Sequence, residues 1–446
     1  MTKITSLLTG AGLGAMLIAG ASPAAAKVGQ PTAAERQQAE IEALRREVEA
    51  LTARLDAQQQ AASQAQATAQ AAQQQARAAQ SQAAAAQAAV PVEVKTQLAA
   101  APTPKPQWFD NTSISGRMYF NFSNIGQKAN GVESAANGTG FNIKRFYLSV
   151  DHKFDDTFSA DITTDVSNVI GDTSGKLVGR GLYIKKAYLQ AKLGPALVVR
   201  LGSADMPWIP YAENQYGYRH IENTLIDRIG YGNSADWGVH VLGDLAGGLV
   251  SYQLSVVDGA GYRNVKVTNS VDVEGRVSVQ YKGLFAAIGG YSGKRGADVE
   301  GAVTHHSATR IDAMLGYKSR LFTIGGEYFH ARNWNNVATV GEDKAEGWSL
   351  FGNINFAPRW SAFGRYDWVK PSGDANPRLK DHYFNVGIQY EPVKIVDLAL
   401  VYKRDVARNG LIATSNGTIG GSNPPGLPVG GRGTYDEIGL FGQLRW

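Results

Sequence analysis

The 446-residue sequence has no cysteine, which excludes disulfides, thiolate zinc sites and cysteine nucleophiles. It also has little that reads as a helical membrane span. Its one long apolar run lies at the very start, in MTKITSLLTGAGLGAMLIAGASPAAAKV. Lys3 forms a basic n-region there, the stretch from Leu7 to Ala19 an apolar core, and Ala24 and Ala26 an A-x-A site. That pattern predicts a secretory signal over residues 1–26, with the mature chain starting at Lys27. The glycines at 10, 12 and 14 look like part of a nucleotide-binding loop, but no strand precedes them. A large exported chain without disulfides needs another source of stability, such as a closed sheet or a membrane. Nothing in the sequence points to nucleic acid or to a cofactor.

After the signal, Ile41, Leu44, Val48, Leu51 and Leu55 recur at alternating steps of three and four, the seam of a coiled coil. The same register continues through Ala62, Ala65, Ala69, Ala72, Ala76 and Ala79, which favour helix but bury little area. Residues 27–90 are therefore expected to be a coiled-coil stalk. Prolines at 91, 102, 104 and 106 end it and stiffen a linker over 91–107.

From 108 to 446 the pattern changes to segments of about ten residues with alternating hydrophobicity, the length a transmembrane strand needs. Many carry Tyr, Trp or Phe near their ends, where aromatic girdles meet the two membrane interfaces. The connections alternate strictly between short (FDDT, LGPA, GDLAGG, KGL, KSR, APR, EPVK) and long (124–140, 168–181, 203–235, 258–270, 294–307, 332–346, 370–381, 405–433). A soluble sandwich has no reason to sort its loops this way, whereas an outer-membrane barrel has short periplasmic turns and long external loops. The expected fold is thus an all-β transmembrane barrel of about sixteen antiparallel strands, preceded by a periplasmic coiled-coil helix. The closing segment DEIGLFGQLRW alternates to the last residue, so it reads as the strand that meets the first. Trp446 then belongs to an interfacial girdle.

Segments such as FNIKRFYLSVDHKF, GLVSYQLSVVDGAG, SAFGRYDWVKP and VDLALVYKRD resemble the phosphate-selective porin O/P family of Gram-negative outer membranes. The resemblance spans essentially the whole mature chain. It implies a homotrimer, a constriction made by inward-folded loops, and a C-terminal strand ending at Trp446 that the barrel-assembly machinery reads. The expected function is a water-filled channel for passive diffusion of small hydrophilic solutes and ions, lying in outer-membrane lipid. The family's phosphate selectivity implies an arginine ladder that does not align here, and from residue 108 onward basic residues exceed acidic ones by only three (35 against 32). The expectation is therefore at most a mild anion, phosphate-type preference. The alternative is a tether in which the stalk reaches peptidoglycan and the barrel is an anchor.

Taken literally, the alternation turns Arg117, Arg145, Asp161, Asp165, Lys186, Arg200, Glu274, Arg276, Arg365, Asp367 and Lys403 toward the lumen. Charges facing lipid near the midplane would cost roughly 2–4 kcal/mol each. The connection 203–235 is far longer than an ordinary loop of about 4–6 residues. It holds Pro207, Pro210, several aromatics and the cluster Arg219, His220, Glu222, Asp227 and Arg228. We read it as a loop packed inward. His305 and His306 are adjacent, so their side chains diverge, and no metal site is expected. No Ser/His/carboxylate set is apparent, so no enzyme is expected.

Overall fold

The computed structural model describes residues 49, 52, 63–64, 70–71, 73–75, 77–82, 107–135, 137–166, 182–427 and 429–446. Two compact units divide the chain, Met1–Thr103 and Pro104–Trp446. The described residues of the first unit are helical. The signal segment, the leucine-rich part of the seam, the linker prolines and the connection 168–181 lie outside the described residues.

The second unit is a closed antiparallel barrel of sixteen strands. They are β1 Thr112–Ala129, β2 Gly138–Lys153, β3 Phe158–Val166, β4 Leu182–Gly194, β5 Leu197–Asp205, β6 Ala235–Leu245, β7 Val250–Val257 and β8 Asp272–Tyr281. The second half comprises β9 Leu284–Gly293, β10 Ala308–Lys318, β11 Phe322–Arg332, β12 Lys344–Ala357, β13 Trp360–Lys370, β14 Lys380–Val393, β15 Val396–Arg408 and β16 Arg432–Arg445. Each strand pairs with its neighbours in sequence, and β16 closes on β1 from Arg117 opposite Arg445 to Ala129 opposite Gly433. Closure leaves no unpaired edge in hydrocarbon, the condition for a sheet to span a membrane. Sixteen strands also leave room for a water-filled interior.

The outward positions form an apolar band. Ile311, Leu315, Ile324, Leu350 and Leu400 are 58–65% exposed, a surface that water would not tolerate but lipid does. Aromatic contacts bound the band at both ends: Trp348 with Tyr366 on one rim, Trp360 with Tyr390 on the other. The first connection is shorter than the pattern predicts, spanning only 130–137, because β1 and β2 extend past the band. The last long connection is not plain loop either. It contains a hairpin, Leu411–Thr414 with Gly417–Gly420.

Away from the short turns, where three further irregularities lie, strict alternation fails at two places among the described residues. On β2, Tyr119 pairs with Arg145 and Phe120 with Ile143, so Lys144 is an extra residue. On β4, Thr163 pairs with Lys186 and Thr164 with Ile184, so Lys185 is extra. Each is a β-bulge, in which two residues of one strand oppose one of the next. The bulges turn Lys144 and Lys185 inward beside Arg145 and Lys186. The two inward lysines were invisible to a period-2 reading.

At the closure, the Trp446 indole lies over Gly116 and beside Phe146, with ring centroids 5.6 Å apart. A Cβ on Gly116 would come within 2.1 Å of that ring, so any side chain there would displace the indole. The backbones bond as well, Gly116 N–H to Trp446 O at 3.0 Å. Trp446→Asp should remove the ring contact and place charge in the girdle, lowering the fraction of heat-modifiable barrel in the membrane. Wild-type levels of that form would show that closure does not need the terminal aromatic.

Candidate functional site

Residues 206–234, between β5 and β6, fold into the lumen. Pro210 stands in the first turn of a helix over Ile209–Tyr216, which ends at Gly217 in a left-handed conformation (φ 81°). That is a common way for a helix to stop. The segment is as buried as a protein core: Trp208, Ile209, Ala212, Ile221, Leu225 and Ile226 are at most 1% exposed. The lumen holds water, so the hydrophobic effect acts there as in a soluble protein, at about 1.5–3 kcal/mol for each fully buried large aliphatic side chain.

The loop packs mainly on one side, with Lys144 of β2 donating to Ile221 O at 2.7 Å from the other. Trp208 donates its indole N–H to Glu327 on β11 at 2.7 Å and its backbone N–H to Glu274 on β8 at 3.0 Å. Its ring lies against Gly289, where a Cβ would approach within 2.6 Å. Tyr216 stacks on Phe351 of β12 at 3.9 Å and donates to Glu327. Tyr218 stacks on Phe363 of β13 at 4.2 Å. The fixed point is Arg228. Its guanidinium reaches Asp367 on β13 at 3.0 Å, Asp381 on β14 at 2.6 Å and Asp405 on β15 at 2.9 Å, all fully buried. Arg365 shares Asp367 at 2.6 Å, and Arg310 bridges Glu274 at 3.2 Å and Asp312 at 2.8 Å. Lys403 joins Glu222 at 3.4 Å and Glu437 at 3.0 Å.

The hairpin from the last connection folds in behind the loop. Ser415 donates its N–H to Arg228 O at 2.7 Å and its hydroxyl to Glu222 at 2.7 Å, while Asn416 adds a third contact to Glu222 at 3.0 Å. Burial works to raise the Glu222 carboxyl, but Lys403 and Lys144 outweigh it and hold the group well below the ordinary range. On Asp227, burial wins over Arg219 and pushes the carboxyl up.

Toward β1–β7 and the outer part of β8 the wall is less covered, and its cations are held differently. Arg117 donates to the Tyr119 hydroxyl at 3.3 Å, and Lys185 sits 4.8 Å over the Tyr147 ring. Arg200 lies 4.9 Å over Tyr188 and bonds Gln190 at 2.9 Å. Arg276 lies 4.4 Å over Tyr211 and bonds Pro207 O at 2.9 Å. None of these four has a carboxylate at ion-pair distance among the described residues. Their neighbours are partly neutralised: Arg145 pairs with Asp165 at 2.6 Å, and Lys186 stands at 3.9 Å from Asp161 and 3.7 Å from Asp205. Between this wall and the loop is a cavity of about 400 Å³. Its charged lining is Arg117, Lys185, Lys186, Arg219 and Arg445 against Asp205 and Glu213.

All the inward candidates from the sequence therefore lie on the inner wall, but they divide into two sets. Glu274, Arg365, Asp367 and Lys403 are buried under the loop, whereas Arg117, Lys186, Arg200 and Arg276 face the open side. The loop cluster divides too. Arg219 lines the cavity and pairs with Glu213 at 2.6 Å and Asp227 at 3.3 Å, while Glu222 and Arg228 anchor the loop. His220 is buried with neither ring nitrogen partnered. His305 and His306 lie with ring centroids 6.4 Å apart, and no group of metal-ligating side chains occurs among the described residues.

No family model and no curated protein matches the chain, so the family resemblance rests on the quoted segments alone. Solved structures do match. An anion-selective porin from Comamonas acidovorans aligns with a TM-score of 0.52 at 13% identity, over 75% of this chain and 99% of that one. The outer membrane channel DcaP of Acinetobacter baumannii aligns at 0.49 and 13%, over 75% and 97%. Salmonella typhi OmpF, in complex with daunomycin, aligns at 0.49 and 11%, over 76% and 99%. At these identities the first of them supports the barrel fold and nothing finer.

Two outcomes follow from the buried loop. Arg228→Gln leaves three aspartates buried with only Arg365 to compensate, which costs about 3–5 kcal/mol. Limited proteolysis in detergent should then cut within 206–234, and a loop as resistant as wild type would show that the clamp does not hold it. Burial, reinforced by Lys144 and Arg445, lowers His220 to about 3. Because the folded value lies below the unfolded one, the unfolded chain takes up the proton first as pH falls. The stability His220 contributes is complete above about 6.5 and lost as pH drops toward 3. His220→Asn should flatten the stability curve across that window; an unchanged slope would assign the titration to another group.

Proposed function

We propose that the protein is an outer-membrane porin, a passive channel for small hydrophilic solutes with a preference for anions. One observation carries this reading. The inward loop lies mainly against the β8–β16 side and neutralises the charges there, leaving an open passage in which Arg117, Lys185, Arg200 and Arg276 rest on tyrosines rather than on carboxylates. A solute crossing the cavity therefore meets more positive than negative charge, although the barrel as a whole is nearly balanced. Rings of fixed charge in a narrow pore select ions by this kind of field. The candidate lining residues act as steering charges in this reading, and the loop is the constriction. No cofactor and no catalytic step is required.

Asp161, Asp165 and Asp205 temper the field, so the preference is graded and falls with salt through screening. The tether reading rests on residues 27–90, of which the structure describes only part, and no observation in the barrel favours it. Assembly as a homotrimer follows from the family resemblance. It is tested by an unboiled gel, where a heat-labile band at three times the monomer mass is expected and a lone monomer would count against it.

Reversal potentials across a bilayer in a potassium chloride gradient test the channel reading. The wild type should be anion-preferring yet short of the ideal anion limit. Arg117→Glu combined with Lys185→Glu should move the potential to the cation side. A potential unmoved by that double change would place the selecting charges elsewhere, and the absence of conductance would defeat the porin reading itself.

A further inference from the structure

The connection between β7 and β8 also dips into the passage, on its open side. The Tyr262 hydroxyl donates to Asp165 of β3 at 3.0 Å. The Tyr262 backbone donates to Ala235 O at 3.1 Å and accepts the Trp237 indole N–H at 3.2 Å. This turn brings Arg263 over the Tyr183 ring of β4 at 4.7 Å and over Tyr262 itself at 5.2 Å. Asp165 lies 3.8 Å from Arg263, but it already holds Arg145 at 2.6 Å. Arg263 thus adds a fourth stacked pair to Lys185 on Tyr147, Arg200 on Tyr188 and Arg276 on Tyr211.

The spacing of these pairs limits what they can hold. Tyr147 and Tyr183 stand in one row with Asp165 between them, about 10 Å apart at 4.8 Å per strand. Tyr183 and Tyr188 lie five residues apart on β4, one of them the bulge, so roughly 13–16 Å separates them. No small anion takes donors from two such stations at once, and Asp161, Asp165 and Asp205 lie among them. A compact multivalent anion such as phosphate needs several donors together to replace its water. An anion that carries its charge at one end of a ring needs only one donor group.

Each station supplies that donor together with a flat apolar surface. A ring beneath a cation leaves its formal charge uncancelled. An arginine so placed keeps a fork of N–H groups for a carboxylate, and its weakly hydrated plane accepts an aromatic face. The cavity brings two such tyrosines together. Tyr119 and Tyr147 stand edge to face on its wall, with ring centroids 5.9 Å apart and planes at 83°. Arg117 bonds the first and Lys185 covers the second, while Pro210 lines the cavity from the loop. Its volume of about 400 Å³ falls within the range of small-ligand pockets, about 300–1,000 Å³.

We propose that the passage selects aromatic carboxylates, of which benzoate is the simplest, with its main binding station at Tyr147, Lys185 and Arg117. The ring of the solute lies against Tyr147 and Pro210, and its carboxylate takes the Arg117 fork with Lys185 as a point charge. Arg263 on Tyr183 receives the solute at the long-loop mouth. Arg200 on Tyr188 draws it on toward the short turns. This inference rests on the channel reading and goes beyond it by naming the class of solute.

The test records chloride current through the full chain in a planar bilayer while one acid at a time is added. Benzoate is compared with cyclohexanecarboxylate, which has the same charge and nearly the same size but no π system. Benzoate should halve the current at a concentration roughly three- to tenfold lower, the worth of one aromatic contact. Tyr147→Leu should abolish that difference, and Tyr147→Phe should keep it. Should Tyr147→Leu not assemble, the comparison of the two acids on wild type decides alone. Half-block by the two acids within twofold of each other on wild type overturns the proposal. So does a difference that survives Tyr147→Leu in full, or half-block by inorganic phosphate at a lower concentration than by benzoate. A channel that conducts chloride and is blocked by none of these anions sinks this inference and leaves the porin reading standing. A chain that conducts nothing sinks both.

Discussion

Apolar side chains that point into water must be covered, and this constraint arranges the interior of the barrel. Phe285, Phe329, Phe351, Phe363 and Phe441 all face inward, and all belong to strands from β9 onward. Loop 206–234 and the returning hairpin cover that half of the wall. The arginine and carboxylate contacts then fix what the apolar surface attracts, since buried ion pairs specify geometry better than they add net stability. Because the loop goes to one side, the passage goes to the other.

The two halves of the lumen thus treat charge in opposite ways. Under the loop, Arg228, Arg310, Arg365 and Lys403 each meet a carboxylate in a dry setting, where leaving one unpaired would be costly. On the open side, water solvates the cations, and tyrosine rings hold Lys185, Arg200 and Arg276 in place without cancelling their charge. Counting residues along the chain averages the two halves together, which is why the net excess looked too small to matter.

The barrel itself was legible in the sequence, because loop sorting and period-2 alternation are global signals that survive local error. The inward direction of the long loop was legible from its length and its aromatics. Which wall it would choose was written in the inward phenylalanines, but that signal appears only when the strands are compared in register. The extra lysines were not legible, since a bulge is set by pairing between strands and has no composition of its own. Nor was the three-aspartate clamp, whose members lie on three strands and on a loop 139 to 177 residues away.

The bulges also bear on how such a wall can change over generations. Losing one residue from an ordinary strand turns every later side chain to the wrong face, and in a membrane that is ruinous. At Lys144 and Lys185 the extra residue is already absorbed by the pairing, so its deletion would restore plain alternation on both flanks. A single codon can therefore leave either position, or arrive there, while the lipid-facing surface stays as it was. The interior charge of this barrel can drift in whole units at those two points without passing through a misfolded ancestor.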